Sequence, residues 1–159
     1  MSRGFACVGL DNPKCNKNVG AALRAAHVYG CALVVLSGQR YSRRIATDTT
    51  KAWKHMPLIE AGNVFDAIPH ECVPVAVDLV DGAQPLPFYA HPERAFYIFG
   101  AEDETLSPET VARCKHRIMV PTAYCMNLAA TINVVLYDRL AKGMKPEVRT
   151  DHEQITQAA

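Results

Sequence analysis

The chain has 159 residues, a net charge of +1 at pH 7 and a pI near 7.7. A chain of this length forms one domain that buries roughly 70% of its unfolded surface, so its core requires no metal or disulfide. The near-neutral charge excludes a protein that binds nucleic acid through overall basicity, and leaves that function to a local basic patch.

The six cysteines show none of the CxxC or CxxxH spacings of metal sites. We therefore expect reduced thiols, no bound metal and a cytoplasmic location. No apolar run approaches the ~20 residues of a membrane span, and the opening sequence lacks the apolar core and cleavage site of a secretory signal. We expect no contact with a membrane.

Short apolar runs alternate along the chain with segments of helical periodicity. The predicted strands cover residues 5–10, 32–36, 58–59, 74–79, 95–99 and 117–121. The predicted helices cover residues 18–30, 64–68, 107–115 and 128–140. This alternation is typical of a mainly parallel α/β sheet flanked by helices. We assign that domain to residues 1–144 and a polar tail to residues 145–159.

Basic residues are concentrated between the second predicted strand and residue 55, with two aromatic residues among them. The basic residues are Arg40, Arg43, Arg44, Lys51 and Lys54. Such a cluster fits a solvated face, and it fits equally well a set of contacts to RNA phosphates. Beyond it, residues 78–82 are expected to turn away from the sheet, and the three prolines in residues 85–92 predict a loop.

Two loops in the second half of the chain follow predicted strands. Gly100 closes the first strand, and residues 100–106 lead to a helix that Ser107 begins. Ligands of parallel sheets bind outside the carboxyl ends of strands, where a glycine lets backbone amides approach them closely. Glu102 then stands at the mouth of a predicted ligand site.

The second loop starts where Pro121, which has no N–H for strand pairing, ends its strand. It leads to Asn127, an expected N-cap, and to an amphipathic helix that Gly143 terminates. Asn18 is the expected cap of the first helix. We predict that apolar residues of the last helix, Leu136 among them, pack a subunit interface.

Three short patterns follow one another along the chain. They are Asn18-x-Gly20-x3-Arg24, Phe99-Gly100-x-Glu102-x3-Leu106, and Val120-Pro121 followed by Asn127. Their order and spacing resemble motifs one, two and three of the SpoU (TrmH-like) RNA ribose 2′-O-methyltransferases, and the resemblance covers residues 5–142.

The resemblance implies a SPOUT α/β fold with a deep trefoil knot at its carboxyl end, and a homodimer whose interface builds the active site. It also implies that S-adenosylmethionine donates the methyl group, leaving S-adenosylhomocysteine, and is held largely by backbone groups. The positions that match donor-binding residues are Val77, Gly100, Ile118, Val120, Cys125 and Met126. The positions that match catalytic residues are Asn18, Arg24, Glu102 and Asn127.

The chemistry of the implied reaction is consistent with an arginine at position 24. A ribose 2′-hydroxyl is a poor nucleophile, so it must be held in line with the donor methyl group and lose its proton as the bond forms. An arginine is protonated in ordinary surroundings, which makes stabilising a developing alkoxide easier for Arg24 than acting as a base. Both roles stay open.

The implied substrate is RNA, with tRNA preferred because the chain is similar to minimal family members, and ribosomal RNA is the alternative. No DNA is expected as a partner. Thr105 and Cys125 stand where the family usually has glycine and serine, which leaves open a non-catalytic RNA-binding homodimer. An ordinary nucleotide-binding domain has little support, because neither GxGxxG nor GxxxxGK[ST] occurs.

Overall fold

The computed structural model describes residues 4–40 and 51–144. These residues form a seven-stranded sheet in the order β3-β2-β1-β6-β4-β7-β5, in which every neighbouring pair is parallel. The strands are β1 (Phe5–Leu10), β2 (Leu33–Ser37), β3 (Leu58–Ala61), β4 (Val73–Val77), β5 (Gln84–Pro85), β6 (Arg94–Phe99) and β7 (His116–Met119). The predicted parallel α/β sheet is confirmed.

Three α-helices flank the sheet in the described part of the chain. They are α1 (Asn16–Val28), α2 (Pro108–Arg113) and α3 (Leu128–Gly143). Single 3₁₀ turns cover Ala52–Lys54, Val64–Ala67 and Leu86–Phe88. The predicted caps Ser107 and Asn127 are confirmed, since each side chain accepts backbone N–H groups of the helix that follows it.

The central strand β6 is buried on both faces, as its continuous apolar sequence predicts. Tyr97 and Phe99 pack with α1 and α3 on one face of the sheet. Phe96 and Ile98 face the opposite side, in a second cluster that includes residues flanking α2. The sheet is therefore the middle of three layers.

The loops that follow β1, β6, β4 and β7 lie at one edge of the sheet, because neighbouring parallel strands end on the same side. Residues of three of these loops line a common cleft. The chain thus brings together segments that are far apart in the sequence.

Two expectations about individual residues are wrong. Helix α1 begins at Asn16 after Cys15, which makes no side-chain cap, so Asn18 lies inside the helix rather than at its cap. Leu136 is only 2% exposed and belongs to the core that α1, α3 and the sheet share, so it is not free to form a subunit contact.

The proline-rich stretch at residues 85–92 contains more structure than the predicted loop. Pro85 ends the two-residue strand β5, and a 3₁₀ turn follows at once. A proline is tolerated there because β5 is an edge strand, which leaves one side unpaired. The expected tail at residues 145–159 lies outside the described residues.

All six cysteines are free thiols, as the sequence predicts. Burial raises the pKa of the Cys31 thiol to about 12, so that thiol is protonated at neutral pH. Among the helices of the described residues, none combines the length and the apolarity needed to cross a membrane.

Replacing Phe96 with alanine is expected to lower the free energy of unfolding by about 3–5 kcal/mol, because the ring is fully buried and leaves a cavity. Phe88→Ala is the matched control, since Phe88 is 79% exposed and its loss is expected to cost about 0.5 kcal/mol or less. Urea unfolding followed by circular dichroism measures both. Equal losses in the two variants would contradict the assigned core.

Candidate active site

The carboxylate of Glu102 lies at the N-terminal end of α1. Its Oε2 accepts the backbone N–H of Lys14 at 2.9 Å, and its Oε1 accepts the N–H of Cys15 at 3.3 Å and the side-chain amide of Asn18 at 2.8 Å. Cys15 offers no side-chain cap. A carboxylate from a loop 88 residues away in sequence therefore accepts the N–H groups of the two residues directly before α1, near the positive end of the helix dipole.

Asn18 connects Glu102 to Asn127. Its amide nitrogen donates to Glu102, and its carbonyl oxygen Oδ1 accepts from Asn127 Nδ2 at 3.0 Å. Asn127 Oδ1 meanwhile accepts the N–H groups of Ala129 and Ala130 at the start of α3. Asn127 thus caps α3 and contacts Asn18 in the first turn of α1 at the same time, and the three sequence motifs meet in one hydrogen-bonded chain.

Glu102 is ionised at neutral pH. Partial burial works against its ionisation, but hydrogen bonds from the Lys14 N–H and the Asn18 amide outweigh that effect and hold the pKa of this carboxyl below its usual value. Because each oxygen already accepts at least one hydrogen bond, the contacts of Glu102 are those of a group that fixes loop positions.

A cleft of about 360 Å³ lies beside this chain, within the roughly 300–1,000 Å³ range of small-molecule sites. Its walls come from the ends of β4, β6 and β7 and from the start of α3. Predicted donor-binding residues in its lining are Val77, Gly100, Val120, Cys125 and Met126. Ile118 does not line the cleft, since it is fully buried within β7.

Gly100 occupies a tight place in the wall. A Cβ at this position would lie 3.3 Å from the carbonyl oxygen of Glu104 and 3.3 Å from the side chain of Leu106. Glycine therefore allows the loop to fold back on itself directly after β6.

Sequence reasoning missed Asp78, which lines the cleft. Its Oδ2 accepts the N–H of Leu106 at 2.7 Å and its Oδ1 accepts the N–H of Leu79 at 2.7 Å. The chain turns away from the sheet after β4, as expected, and Asp78 also fixes the far end of loop 100–106. The signal that would have found it is an acidic residue directly after a buried strand.

Arg24 lies on the exposed side of α1, six residues and about 9 Å of helix rise beyond Asn18. Neither a hydrogen bond nor an ion pair joins it to any of the described residues. Its guanidinium is thus available to a group outside the chain.

The predicted basic cluster is described in part. Arg40 is paired with Asp103 and Glu104, and Lys54 lies 5.4 Å from the centre of the Trp53 ring. Lys51 is exposed and has a left-handed backbone conformation, with a φ of 49°. The remaining two, Arg43 and Arg44, lie outside the described residues.

A family model described as the SpoU rRNA Methylase family matches residues 6–137 of the chain. No curated protein matches the chain.

Several solved structures share the fold. The SpoU methyltransferase AviRb from Streptomyces viridochromogenes, in complex with the cofactor AdoMet, has a TM-score of 0.78, 18% identity, and coverage of 89% of this chain and 59% of its own. An AdoMet-bound rRNA methyltransferase from Sinorhizobium meliloti has a TM-score of 0.79, 19% identity, and coverage of 91% and 59%. The chain therefore spans about three fifths of the length of these two proteins.

A third structure, described as giving insights into the 2-OH methylation of C/U34 on tRNA, has a TM-score of 0.75 and 20% identity. The match covers 89% of this chain and 92% of that one. At such identities the likeness is one of fold.

Replacing Glu102 with glutamine is expected to lower stability by about 1 kcal/mol at pH 7, since an amide NH₂ would then face donors that need an acceptor. The folded pKa of Glu102 is depressed, so its contribution is present above the unfolded pKa of about 4.3 and is lost as pH falls through the folded pKa. Urea unfolding at pH 7 and pH 3 should therefore show a difference that shrinks at the lower pH.

The control for this pH series is Glu93→Gln. The Glu93 carboxylate is exposed and has no hydrogen-bond or ion-pair partner among the described residues. We expect Glu93→Gln to leave stability nearly unchanged at both pH values. A difference between wild type and Glu102→Gln that is the same at pH 3 and pH 7 would exclude the charge of Glu102 as its source.

Proposed function

Because the chain belongs to the SpoU rRNA methylase family, we propose that it is an S-adenosylmethionine-dependent methyltransferase acting on a ribose 2′-hydroxyl of RNA. The observation that carries the proposal is the convergence of the first motif, on α1, with the loops of the second and third motifs. Glu102, Asn18 and Asn127 join in one hydrogen-bonded chain beside a cleft that the second and third loops line.

The cleft fits the donor in size and in chemistry. Val77, Val120 and Met126 offer apolar surface for an adenine ring, and Gly100 lines the same cleft without a side chain. Asp78 adds a carboxylate to the lining, which suits a ligand with a positive sulfonium. When bound, S-adenosylmethionine supplies an activated methyl group.

The residues of the chain have the remaining tasks. Glu102, Asn18 and Asn127 hold the loops so that the cleft keeps its shape. Arg24, exposed and unpaired among the described residues, binds the acceptor and stabilises negative charge that develops on its 2′-oxygen. This division of labour assigns donor binding to the loops and acceptor chemistry to α1.

We place the preferred substrate among tRNAs. The support is the likeness to a chain of nearly the same length that is described with 2-OH methylation of C/U34 on tRNA. Ribosomal RNA is the alternative, because the larger Sinorhizobium meliloti protein is described as an rRNA methyltransferase. The free thiols fit action in the cytoplasm.

We also propose that the chain carries the trefoil knot of its family and acts as a homodimer. Support for a second copy comes from α3, where three apolar side chains remain exposed in the single chain. They are Val134, Tyr137 and Leu140. An exposed apolar face on a helix is suited to a subunit interface.

A second candidate function is a regulatory RNA-binding homodimer without chemistry. The observation that favours it is Thr105, which lines the cleft where the family usually has glycine. Such a protein would bind the donor and RNA without turnover, and methyl transfer distinguishes the two candidates.

Replacing Arg24 with alanine is expected to leave the affinity for S-adenosylmethionine unchanged, because Arg24 lies outside the cleft lining. The rate of methyl transfer is expected to fall at least a hundredfold, because the charge that stabilises the 2′-oxygen is lost. Calorimetric titration with S-adenosylmethionine and S-adenosylhomocysteine measures binding. Transfer of labelled methyl groups to total tRNA measures the reaction, and resistance of the product to alkaline hydrolysis identifies the 2′-oxygen as the site.

Arg117→Ala is the matched control, since Arg117 is an exposed arginine on β7, away from the cleft. It should retain both binding and methyl transfer. If the wild type binds the donor but methylates neither tRNA nor ribosomal RNA, the methyltransferase proposal is rejected and the regulatory RNA-binding homodimer is favoured.

Wild-type protein at micromolar concentration is expected to sediment at twice the chain mass of 17.5 kDa. Val134→Lys should shift the equilibrium toward the monomer, because it places a charge on the exposed face of α3. Ile59→Lys is the control, since Ile59 is 41% exposed and lies on the edge strand β3. A monomeric wild type would exclude the homodimer.

A further inference from the structure

Two cations from the first half of the chain meet at the carboxylate of Asp103. Arg40 Nη2 donates to its two oxygens at 2.9 and 2.7 Å, and Lys14 Nζ donates to Oδ2 at 3.1 Å. Arg40 is 63 residues from Asp103 in the sequence, and Lys14 is 89 residues from it. Asp103 therefore ties the tip of loop 100–106 to two other segments.

These contacts favour the charged forms of the partners. The Arg40 guanidinium first, and then the Lys14 ammonium, hold the pKa of Asp103 at about 2, while Asp103 raises the pKa of Arg40. An isolated surface ion pair contributes little, but two cations that converge on one carboxylate restrict the loop more than either alone. We call this arrangement the Asp103 clamp.

The clamp is connected to the cofactor cleft because Asp103 and Glu104 both line it. Loop 100–106 is fixed at its base by Glu102 and at its far end by the Asp78 bond to Leu106. Between those points the Asp103 clamp holds the tip, so it helps to set the position of that wall.

Arg40 also belongs to the basic cluster that the sequence suggests for RNA phosphates. A guanidinium binds carboxylates and phosphates through the same paired N–H groups, so Nη2 of Arg40 serves one partner at a time. Nη1 of Arg40 is buried, lies 3.4 Å from Glu104 Oε2 and makes no hydrogen bond to the residues that the structure describes.

We propose that Asp103 is a positioning residue that competes with an RNA phosphate for Arg40. While Arg40 is held by Asp103, the loop is fixed and the cofactor cleft is formed. When a phosphate takes Arg40, the loop tip keeps only its bond to Lys14, and the cofactor is held less tightly. The inference rests on the proposed function, because it assigns both ligands to this chain.

Reciprocity follows from thermodynamic linkage. If RNA weakens cofactor binding through Arg40, the cofactor weakens RNA binding by the same factor. Removing the carboxylate must then move the two affinities in opposite directions, whereas a variant that only loosens the fold weakens both.

The test measures two affinities of the full chain and its variants. Asp103→Asn is expected to raise the Kd for S-adenosylmethionine about threefold in calorimetry and to lower the Kd for total tRNA about threefold in a filter-binding assay. Arg40→Gln is expected to raise both Kd values. The gain in tRNA affinity should disappear when Asp103→Asn is introduced into the Arg40→Gln background.

Asp81→Asn is the matched control for loss of one negative charge, since Asp81 is exposed and unpaired among the described residues. It should leave both affinities unchanged. A gain in tRNA affinity that persists without Arg40, or that Asp81→Asn reproduces, would overturn the competition and leave the methyltransferase standing. A wild type that binds neither ligand would overturn the proposed function itself, and the clamp proposal with it.

Discussion

The placement of the Glu102 carboxylate against the start of α1 is the contact on which the arrangement of the site depends. The N-terminal end of a helix carries a partial positive charge, and here an anion from a distant loop accepts the N–H groups of the two residues that precede α1. The same carboxylate orients Asn18, and Asn18 in turn accepts from the residue that caps α3. One charged group therefore sets the relative positions of two helices and one loop.

The cleft inherits its shape from these contacts because its walls are loops rather than strands. Loops that follow parallel strands are the mobile part of an α/β domain, so each needs its own anchors. Loop 100–106 has Glu102 at one end and the Leu106 N–H bound to Asp78 at the other. The two side chains that anchor this loop, Glu102 and Asp78, themselves line the cleft.

Local sequence patterns were sufficient to predict six of the seven strands of the described sheet and the last helix, since each depends on neighbours within a few positions. The short strand β5 was predicted as part of a loop, because Pro85 has no N–H for strand pairing. The continuous apolar run of β6 indicates burial on both faces, and Asn127 followed by helical periodicity indicates a cap. The cap of α1 was predicted wrongly because the Asn18 side chain bonds to Glu102 and Asn127, which no local pattern links to α1.

The contacts of Asp78 and Asp103 were beyond sequence reasoning for the same reason. Asp78 reaches Leu106 because β4 and β6 are neighbours in the sheet, and hydrophobic periodicity does not specify strand order. Asp103 reaches Arg40 and Lys14 because these residues follow β6, β2 and β1, which are neighbours in the sheet. Contacts between loops are a consequence of the finished topology.

Two arginines of the chain have different surroundings in the folded structure, and therefore different proposed roles. Arg40 and Arg24 are alike as residues, yet Arg40 is held by carboxylates and Arg24 is exposed and unpaired among the described residues. The acidic loop supplies the reason, because Glu102 binds backbone N–H groups and Asn18 while Asp103 binds Arg40 and Lys14. With those anions occupied, Arg24 keeps its charge available for an acceptor oxygen or phosphate that arrives from outside the chain.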